Sequence, residues 1–200
     1  DLAEIPLRSA DRTTDDPLVI AGGPCAFNPE PLAAFLDAVV LGDGEEVVHE
    51  IIDAVRTWKA SGSARRREDL LRSLAGVQGV YVPSLYDVDY HPNGAVRKVT
   101  PSQPGVPGFV RRRVVADLDS LDYPTDPIVP YMEVVHDRVM VEVFRGCTRG
   151  CRFCHAGIVY RPVRERSPEK VLELADKLIR STGHNEISLV SLSTADYSGV

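Results

Sequence analysis

The sequence has 200 residues, of which 44% are hydrophobic and 26% are charged, and its formal net charge is −6 at pH 7. This is ordinary composition for a globular protein with a buried core. The negative charge argues against broad electrostatic capture of nucleic acid, and no apolar run approaches the roughly 20 residues that span a bilayer. We therefore expect a soluble, cytoplasmic protein that is not held in a membrane.

The first 60 residues alternate predicted strands and helices. An apolar run at 17–23 ends in two glycines, as a buried parallel strand would, and 37–46 contains a second such run. A helix at 28–36, which starts with asparagine and proline, separates the two strands. Apolar residues at helical spacing then predict a longer helix. Residues 1–60 are therefore predicted to form part of a parallel α/β sheet.

The middle of the chain, residues 61–137, has a different pattern. An arginine-rich linker and a short helix precede alternating residues around Asn93-Gly94, which predict an antiparallel hairpin. Prolines and glycines at 100–108 exclude a helix or an interior strand there, and 109–118 predicts another strand. We interpret this middle segment as a connector without a large core of its own.

Residues 138–200 return to an alternation of strand and helix. A strand at 138–144 leads into a loop rich in cysteine, Ser167 and Pro168 predict the start of a helix, and 186–193 predicts the next strand. Strand, loop, helix and strand form a βαβ unit, whose two strands should be parallel. Because only the start of a sheet or barrel is present, we expect the chain to be a piece of a longer protein.

Three of the four cysteines, Cys147, Cys151 and Cys154, lie within eight residues of one another. A disulfide framework would spread its cysteines along the chain instead. The attachment sequence of a c-type haem is present, but it leaves Cys147 unexplained and requires an export signal that we do not find. A structural zinc needs a fourth ligand, and the candidates are His155, which abuts the last cysteine, and the distant Cys25.

An iron–sulfur cubane fits the spacing better, because three thiolates on one short loop can wrap a compact cluster. Three ligands leave one iron open, and an open position is typical of a catalytic metal. Gly146 and Gly150 let the backbone approach the inorganic sulfides, while Arg145, Arg149 and Arg152 place cations around an anionic group. A non-catalytic iron–sulfur or zinc module for electron transfer or structure is the alternative.

The C-x-x-x-C-x-x-C spacing, with Phe153 before the last cysteine and a strand before the loop, resembles the radical S-adenosylmethionine (radical SAM) superfamily. The resemblance implies a partial (β/α) barrel and a [4Fe–4S] cluster on Cys147, Cys151 and Cys154, with SAM bound to the open iron. It also implies reductive cleavage of SAM to a deoxyadenosyl radical and an electron donor such as flavodoxin or ferredoxin. Methyl or methylthio transfer, RNA modification and small-molecule rearrangement all use this machinery, so the substrate stays open.

Other residues near this loop receive roles from the same resemblance. The resemblance implies that Phe153 lies beside the bound cofactor. Family members often carry Gly-Gly-Glu after the second strand, to hold the amino group of the methionine. Here Ser193 and Asp196 follow that strand and are predicted to hydrogen-bond in its place. Arg161, Arg164 and Arg166 also precede the helix, and we expect each of them to be exposed to solvent.

Glycines at the two strand ends of the first domain resemble the C-terminal half of a Rossmann-like, cobalamin-binding-type domain. The order of the pieces resembles an uncharacterised group of bacterial radical SAM proteins with such a domain. Cobalamin itself stays open, because the histidine motif for cobalt normally lies upstream and His49 is predicted on a helix surface. Cys25 is predicted to be a packed thiol. The glycines predicted to approach a cofactor are Gly22, Gly23, Gly42 and Gly44.

Overall fold

The structure, a computed structural model, describes residues 3–63, 65–132 and 134–199. The chain divides into two compact units, Asp1–Val114 and Val115–Val200, and each has its own hydrophobic core. The mixed α/β class predicted from the sequence is confirmed. The division between the units falls inside the predicted connector, and the three predicted domain ranges stay predictions.

The first unit is built on a three-stranded sheet. Strand β1 (Ile20–Ala21) pairs in parallel with β2 (Ala38–Val40), which pairs antiparallel with β3 (Val80–Tyr81). The helix predicted between β1 and β2 is instead two short 3-10 segments, Pro24–Phe27 and Glu30–Phe35. Prolines lack the N–H that an α-helical hydrogen bond needs, so this proline-containing stretch takes tighter turns. These elements do not by themselves establish a cobalamin-binding fold, which stays a prediction.

Two helices complete the core of the first unit. Helix α1 (Val47–Ala60) and helix α2 (Arg67–Ala75) confirm the helices predicted there. Each buried aliphatic side chain contributes about 1.5–3 kcal/mol by leaving water. The buried apolar residues of the two helices are Val47, Ile51, Leu70, Leu71, Leu74 and Ala75.

The predicted hairpin is present in the same unit. Strands β4 (Tyr86–Tyr90) and β5 (Val96–Pro101) pair antiparallel, with Gly94 in the turn at φ +83°. The side-chain oxygen of Asn93 accepts the N–H of Ala95 at 3.1 Å, which stabilises the turn. Residues near β3 and β4 contribute to the core that contains α1 and α2, so the hairpin segment packs into the first unit.

The segment at 109–118 does not form the predicted strand. It makes a single parallel bridge between Arg113 and Gly42, in which Arg113 N–H donates to Leu41 O at 2.8 Å and Asp43 N–H donates to Arg113 O at 3.1 Å. Gly42 has φ +111°, and a Cβ placed on it would lie 2.0 Å from Arg113 O. Gly42 is therefore required by close approach of the chain's own backbone.

We expect Gly42→Ala to lower the free energy of unfolding of the first unit by about 3 kcal/mol or more, because a left-handed φ is costly and the added methyl meets a carbonyl. Gly44→Ala is the matched control, since its Cβ meets nothing within 4 Å and its φ is not positive. Its change should stay below about 1 kcal/mol. Urea unfolding followed by the fluorescence of Trp58 measures both variants, and equal losses would contradict the explanation.

The second unit contains the predicted βαβ arrangement. Strand β6 (Val139–Glu142) pairs in parallel with β9 (Ile187–Val190), and α4 (Pro168–Thr182) connects them. The hydroxyl of Ser167 accepts the N–H of Lys170 at 3.1 Å and caps the helix, which ends at a left-handed glycine. The buried face of α4 consists of Val171, Leu174, Ala175 and Leu178.

A second, smaller ladder lies between these strands in the sequence. Strand β7 (Phe144–Arg145) pairs antiparallel with β8 (Arg164–Glu165), and the one-turn helix α3 (Ala156–Val159) lies between them in the chain. Among the helices of the described chain, none combines the length and apolar character that a membrane crossing needs.

Candidate cluster-binding site

The cysteine loop, residues 146–163, begins and ends at the β7–β8 ladder. Phe144 lies opposite Glu165, and the next pair continues the ladder towards the loop. Gly146 follows with φ +92°, and a Cβ on it would lie 2.6 Å from the carbonyl oxygen of Pro162. The two ends of the loop are therefore in backbone contact, just beyond the C-terminal end of β6. A side chain at Gly146 would separate them.

The three clustered cysteines are free thiols in the structure. Cys151 is exposed, whereas Cys147 and Cys154 are half-buried. The backbone N–H of Arg149 points to Cys147 Sγ at 3.4 Å, and that of Gly157 points to Cys154 Sγ at 3.4 Å. Such donors stabilise a sulfur that carries negative charge. Two of the three sulfurs therefore accept a backbone hydrogen bond, and a cysteine binds metal through its thiolate.

The donor set fits an iron–sulfur cluster in its chemistry, since three unpaired thiols lie on one short loop. The three sulfurs are not drawn together: over the residues described, no group of three or more His, Cys, Asp or Glu side chains is placed to hold a metal ion. Cluster assembly would have to bring the three Sγ atoms together. Cys25 is exposed in the first unit, so the prediction that it is packed is wrong.

The loop after β9 is joined to the cysteine loop by an ion pair. Asp196, in the 3-10 segment Thr194–Asp196, accepts from Arg149 Nε at 2.7 Å and also from its terminal nitrogen. Ser193 Oγ donates to the same carboxylate at 2.7 Å. The two loops at the C-terminal ends of parallel strands therefore meet, as loops at a strand-end site should. Ser193 and Asp196 are thus adjacent to each other and to the cysteine loop.

Electrostatic interactions around this contact favour the charged forms. Hydrogen bonds from Arg149, and then from Ser193, hold the pKa of Asp196 below its usual value. The pKa of Arg149 is raised, mainly by its hydrogen bond to Asp196 and to a smaller extent by the sulfurs of Cys147 and Cys151. Arg149 is therefore a cation held between a carboxylate and the thiols.

The other residues predicted at the site lie apart from these contacts. Phe153 is 92% exposed, so little of its ring is covered in the structure. Gly22, Gly23 and Gly44 stay predictions: a Cβ on Gly22 would touch only Val40, and one on Gly23 or Gly44 would meet nothing within 4 Å. His49 is exposed on α1, as predicted.

The predicted exposure of the arginines before α4 is wrong for two of the three. Arg164 and Arg166 are buried, whereas Arg161 is exposed and donates to Cys147 O at 3.2 Å. The guanidinium of Arg164 donates to Val115 O at 2.9 Å. Backbone carbonyl oxygens accept hydrogen bonds from both buried guanidinium groups. The sequence gives no local signal for such partners.

We expect Asp196→Asn to increase amide hydrogen exchange in the cysteine loop about two- to fivefold at pH 7, because the loop loses an ion pair and an exposed pair has only a modest effect. Asp176→Asn is the matched control, since it breaks the exposed pair with Arg180 on α4. Because the pKa of Asp196 is lowered, the pair persists above that group's usual pKa and is lost as pH falls through the lowered value. Unchanged exchange in the loop of Asp196→Asn would contradict this coupling.

The second unit therefore belongs to a class of α/β proteins with a site at strand ends and thiols in the first loop. A family model described as the radical SAM superfamily matches residues 141–199, which include all three clustered cysteines. A second family model, described as the N-terminal part of radical SAM proteins, matches residues 1–83. The chain belongs to the radical SAM superfamily.

Three curated proteins are similar over most of this chain. An uncharacterized protein of Methanocaldococcus jannaschii is 25% identical over 194 residues, which are 96% of this chain and 35% of that protein. A protein of Pyrococcus horikoshii named as an uncharacterized methyltransferase is 27% identical over 189 residues, covering 90% of this chain and 34% of that protein. The anaerobic magnesium-protoporphyrin IX monomethyl ester cyclase of Cereibacter sphaeroides is 26% identical over 156 residues, which are 76% of this chain and 21% of that protein.

The chain thus spans about a third of the length of the first two relatives and about a fifth of the third. No solved structure matches the chain significantly.

Proposed function

We propose that this chain contributes the cluster-binding loop of a radical SAM enzyme, in which Cys147, Cys151 and Cys154 hold a [4Fe–4S] cluster. The observation that supports this most strongly is the set of three free thiols on one loop after β6, inside the segment that matches the superfamily. When bound and reduced, such a cluster supplies the electron that cleaves SAM and yields a deoxyadenosyl radical.

In this proposal the other residues of the loop position the thiols for binding the cluster. The N–H groups of Arg149 and Gly157 donate to two of the sulfurs, and Gly146 lets the loop close on itself. Arg149 adds positive charge beside the thiols and is itself oriented by Asp196. These contacts lower the cost of gathering several negative sulfurs in one place.

Ser193 and Asp196 are proposed to bind the amino group of the methionine moiety of SAM. The carboxylate of Asp196 is already engaged by Arg149 and Ser193, so the incoming ammonium would have to share it with the guanidinium. A carboxylate whose pKa is lowered remains charged at neutral pH and can accept from both cations. Phe153, being exposed on the same loop, is proposed to cover the bound cofactor.

The proposal concerns the common reaction step and not a particular substrate. The relatives' names include a methyltransferase and a cyclase, so they do not point to one reaction. Methyl or methylthio transfer, with RNA among the candidate substrates, remains within the proposal. The proposed reductant is a protein of the flavodoxin or ferredoxin class, and a cobalamin bound near Gly22 and Gly23 remains an open part of the proposal.

Anaerobic reconstitution of the protein with iron and sulfide tests the proposal. We expect about four iron and four sulfide per chain, a broad visible absorption, and release of deoxyadenosine when SAM and a strong reductant are added. Elemental analysis is the second readout. Stoichiometric zinc without iron or sulfide after anaerobic purification would contradict the enzyme proposal. It would favour a non-catalytic zinc-binding module instead.

A further inference from the structure

A cleft of about 970 Å³ opens in the first unit. Its walls come from the segment at 8–14, from the start of α2 and from β4, and its volume is at the upper end of those of small-molecule sites. Among the described residues that line the cleft, the acidic ones are Glu30 and Glu68. The cleft is therefore a positively charged region in a chain whose net charge is −6. The lining arginines are Arg8, Arg12, Arg65, Arg66, Arg67 and Arg72.

Three of these arginines form ion pairs with carboxylates of the protein. Arg12 and Arg67 both bind the buried carboxylate of Asp37, at 2.7 Å and 3.0 Å. Burial raises the pKa of Asp37, but hydrogen bonds from Val19, Ser9 and Arg67 outweigh it and leave this pKa lowered. Arg66 pairs with Asp69 at the start of α2. These three cations are thus held by the carboxylates of Asp37 and Asp69, which offset two of their three positive charges.

The other three arginines lack such a partner. Within the described ranges, Arg8, Arg65 and Arg72 form no ion pair with a carboxylate, and Arg72 donates to the neutral side chain of Gln103. Arg65 lies over the ring of Trp58 at 5.1 Å, and its Nε–H is shielded from water without an acceptor. A buried donor without an acceptor is costly, and an anion that draws Arg65 off the ring would supply one.

The lining of the cleft also offers an aromatic ring and an acceptor. Tyr90 on β4 is half exposed, and its hydroxyl lies 3.4 Å from the carboxylate of Glu30. Tyr81 donates to the other oxygen of Glu30 at 2.7 Å, which fixes the carboxylate. An exposed aromatic ring can stack on a nucleobase, and a carboxylate can accept from a base amino group. Glu30 also repels phosphate, which would then bind at the arginines.

We propose that this cleft binds a nucleotide unit, with its phosphate on Arg8, Arg65 and Arg72 and its base beside Tyr90 and Glu30. A free nucleotide and a nucleotide within a single RNA strand present the same phosphate and base. The site lies wholly in the first unit and does not depend on the proposed cluster. Guanidinium groups suit phosphate because they donate several parallel hydrogen bonds.

Titration of the purified protein with adenosine monophosphate (AMP), adenosine, inorganic phosphate and an oligoadenylate RNA tests the proposal. Trp58 is the only tryptophan of the sequence, so release of Arg65 from its ring should change its emission. Calorimetry provides a second readout. We expect saturable binding of AMP and at least about tenfold weaker binding of adenosine and of phosphate. Tighter binding of the RNA than of AMP would identify a strand as the source, and the reverse a free nucleotide.

Variants locate the binding in the cleft. Arg72→Gln should weaken AMP binding about tenfold or more, because a charge-assisted hydrogen bond is lost. Arg56→Gln is the matched control, since Arg56 is exposed on α1 and does not line the cleft. Tyr90→Ala should weaken AMP but not inorganic phosphate. No AMP binding up to about 10 mM, or unchanged binding to a folded Arg72→Gln, overturns the proposal. Equal affinities for phosphate and AMP overturn its base-recognition part.

Discussion

Replacing Cys147, Cys151 and Cys154 together with alanine is expected to reduce bound iron, bound sulfide and deoxyadenosine release to background. Each thiolate of a cubane ligates one iron, and the loop holds no further cysteine that could take its place. Because two of the thiols are half-buried and one is exposed, the substitutions remove little packing. The variant should therefore fold, and its loss should be a loss of binding.

The control for this experiment is Cys25→Ala. Cys25 is the fourth cysteine of the sequence and is exposed in the first unit, so its loss should leave iron, sulfide and deoxyadenosine unchanged. Circular dichroism checks that both variants are folded. Retention of the cluster and of SAM cleavage by the triple variant would show that the ligands have been misassigned. An equal loss in Cys25→Ala would point to a different ligand set.

Replacing Arg166 with alanine is expected to lower the free energy of unfolding of the second unit by about 3 kcal/mol. The side chain is almost completely buried and donates to the carbonyl oxygens of Glu142, at 3.0 Å, and of Leu118. Its guanidinium also lies over the ring of Tyr123 at 5.2 Å. Truncation leaves buried carbonyls without their donor and opens a cavity beside β6, so both effects have the same sign.

Arg180→Ala is the matched control within the same unit. Arg180 is exposed on α4 and pairs with Asp176, a kind of pair that contributes only about 0.5 kcal/mol or less. Hydrogen exchange of β6 and α4 reports on the second unit, while Trp58 fluorescence reports on the first. A similar effect of the two substitutions would mean that Arg166 has no structural role beyond an ordinary surface arginine.

The elements with local signals could be predicted from the sequence. Ser167 and Pro168 predicted the start of α4, because a capping hydroxyl and a residue without N–H suit a first turn. Asn93-Gly94 predicted the hairpin for a similar reason, since the turn requires a positive φ. In both cases the residues that decide the structure are neighbours in the chain.

The features that the sequence could not predict depend on distant partners. Arg166 precedes α4 among other arginines, and its burial depends on distant residues such as Leu118, 48 residues earlier. The sequence pattern predicts Gly42 at a cofactor site, whereas its φ and its contact with Arg113 show a close backbone approach. Contacts of this kind depend on how the chain folds back, which periodicity does not encode.

In the candidate site, too, local features could be predicted from the sequence and contacts between distant residues could not. The spacing of the cysteines was sufficient to propose a cluster, because the chemistry requires several thiols on one loop. The sequence pattern does not predict the pairing of Arg149 with Asp196, although it gives each residue a role at the site. Their adjacency follows from the parallel pairing of β6 with β9, which places the ends of the two strands side by side.

That parallel pairing also bears on how the protein is made. Strand β6 leaves the ribosome before the cysteine loop, but its partner β9 follows only after the loop and the whole of α4. A parallel pair of this kind needs its crossover before it can form. During translation the cysteine loop is therefore complete before the sheet beside it, and its contact with Asp196 can form only after β9 has been made.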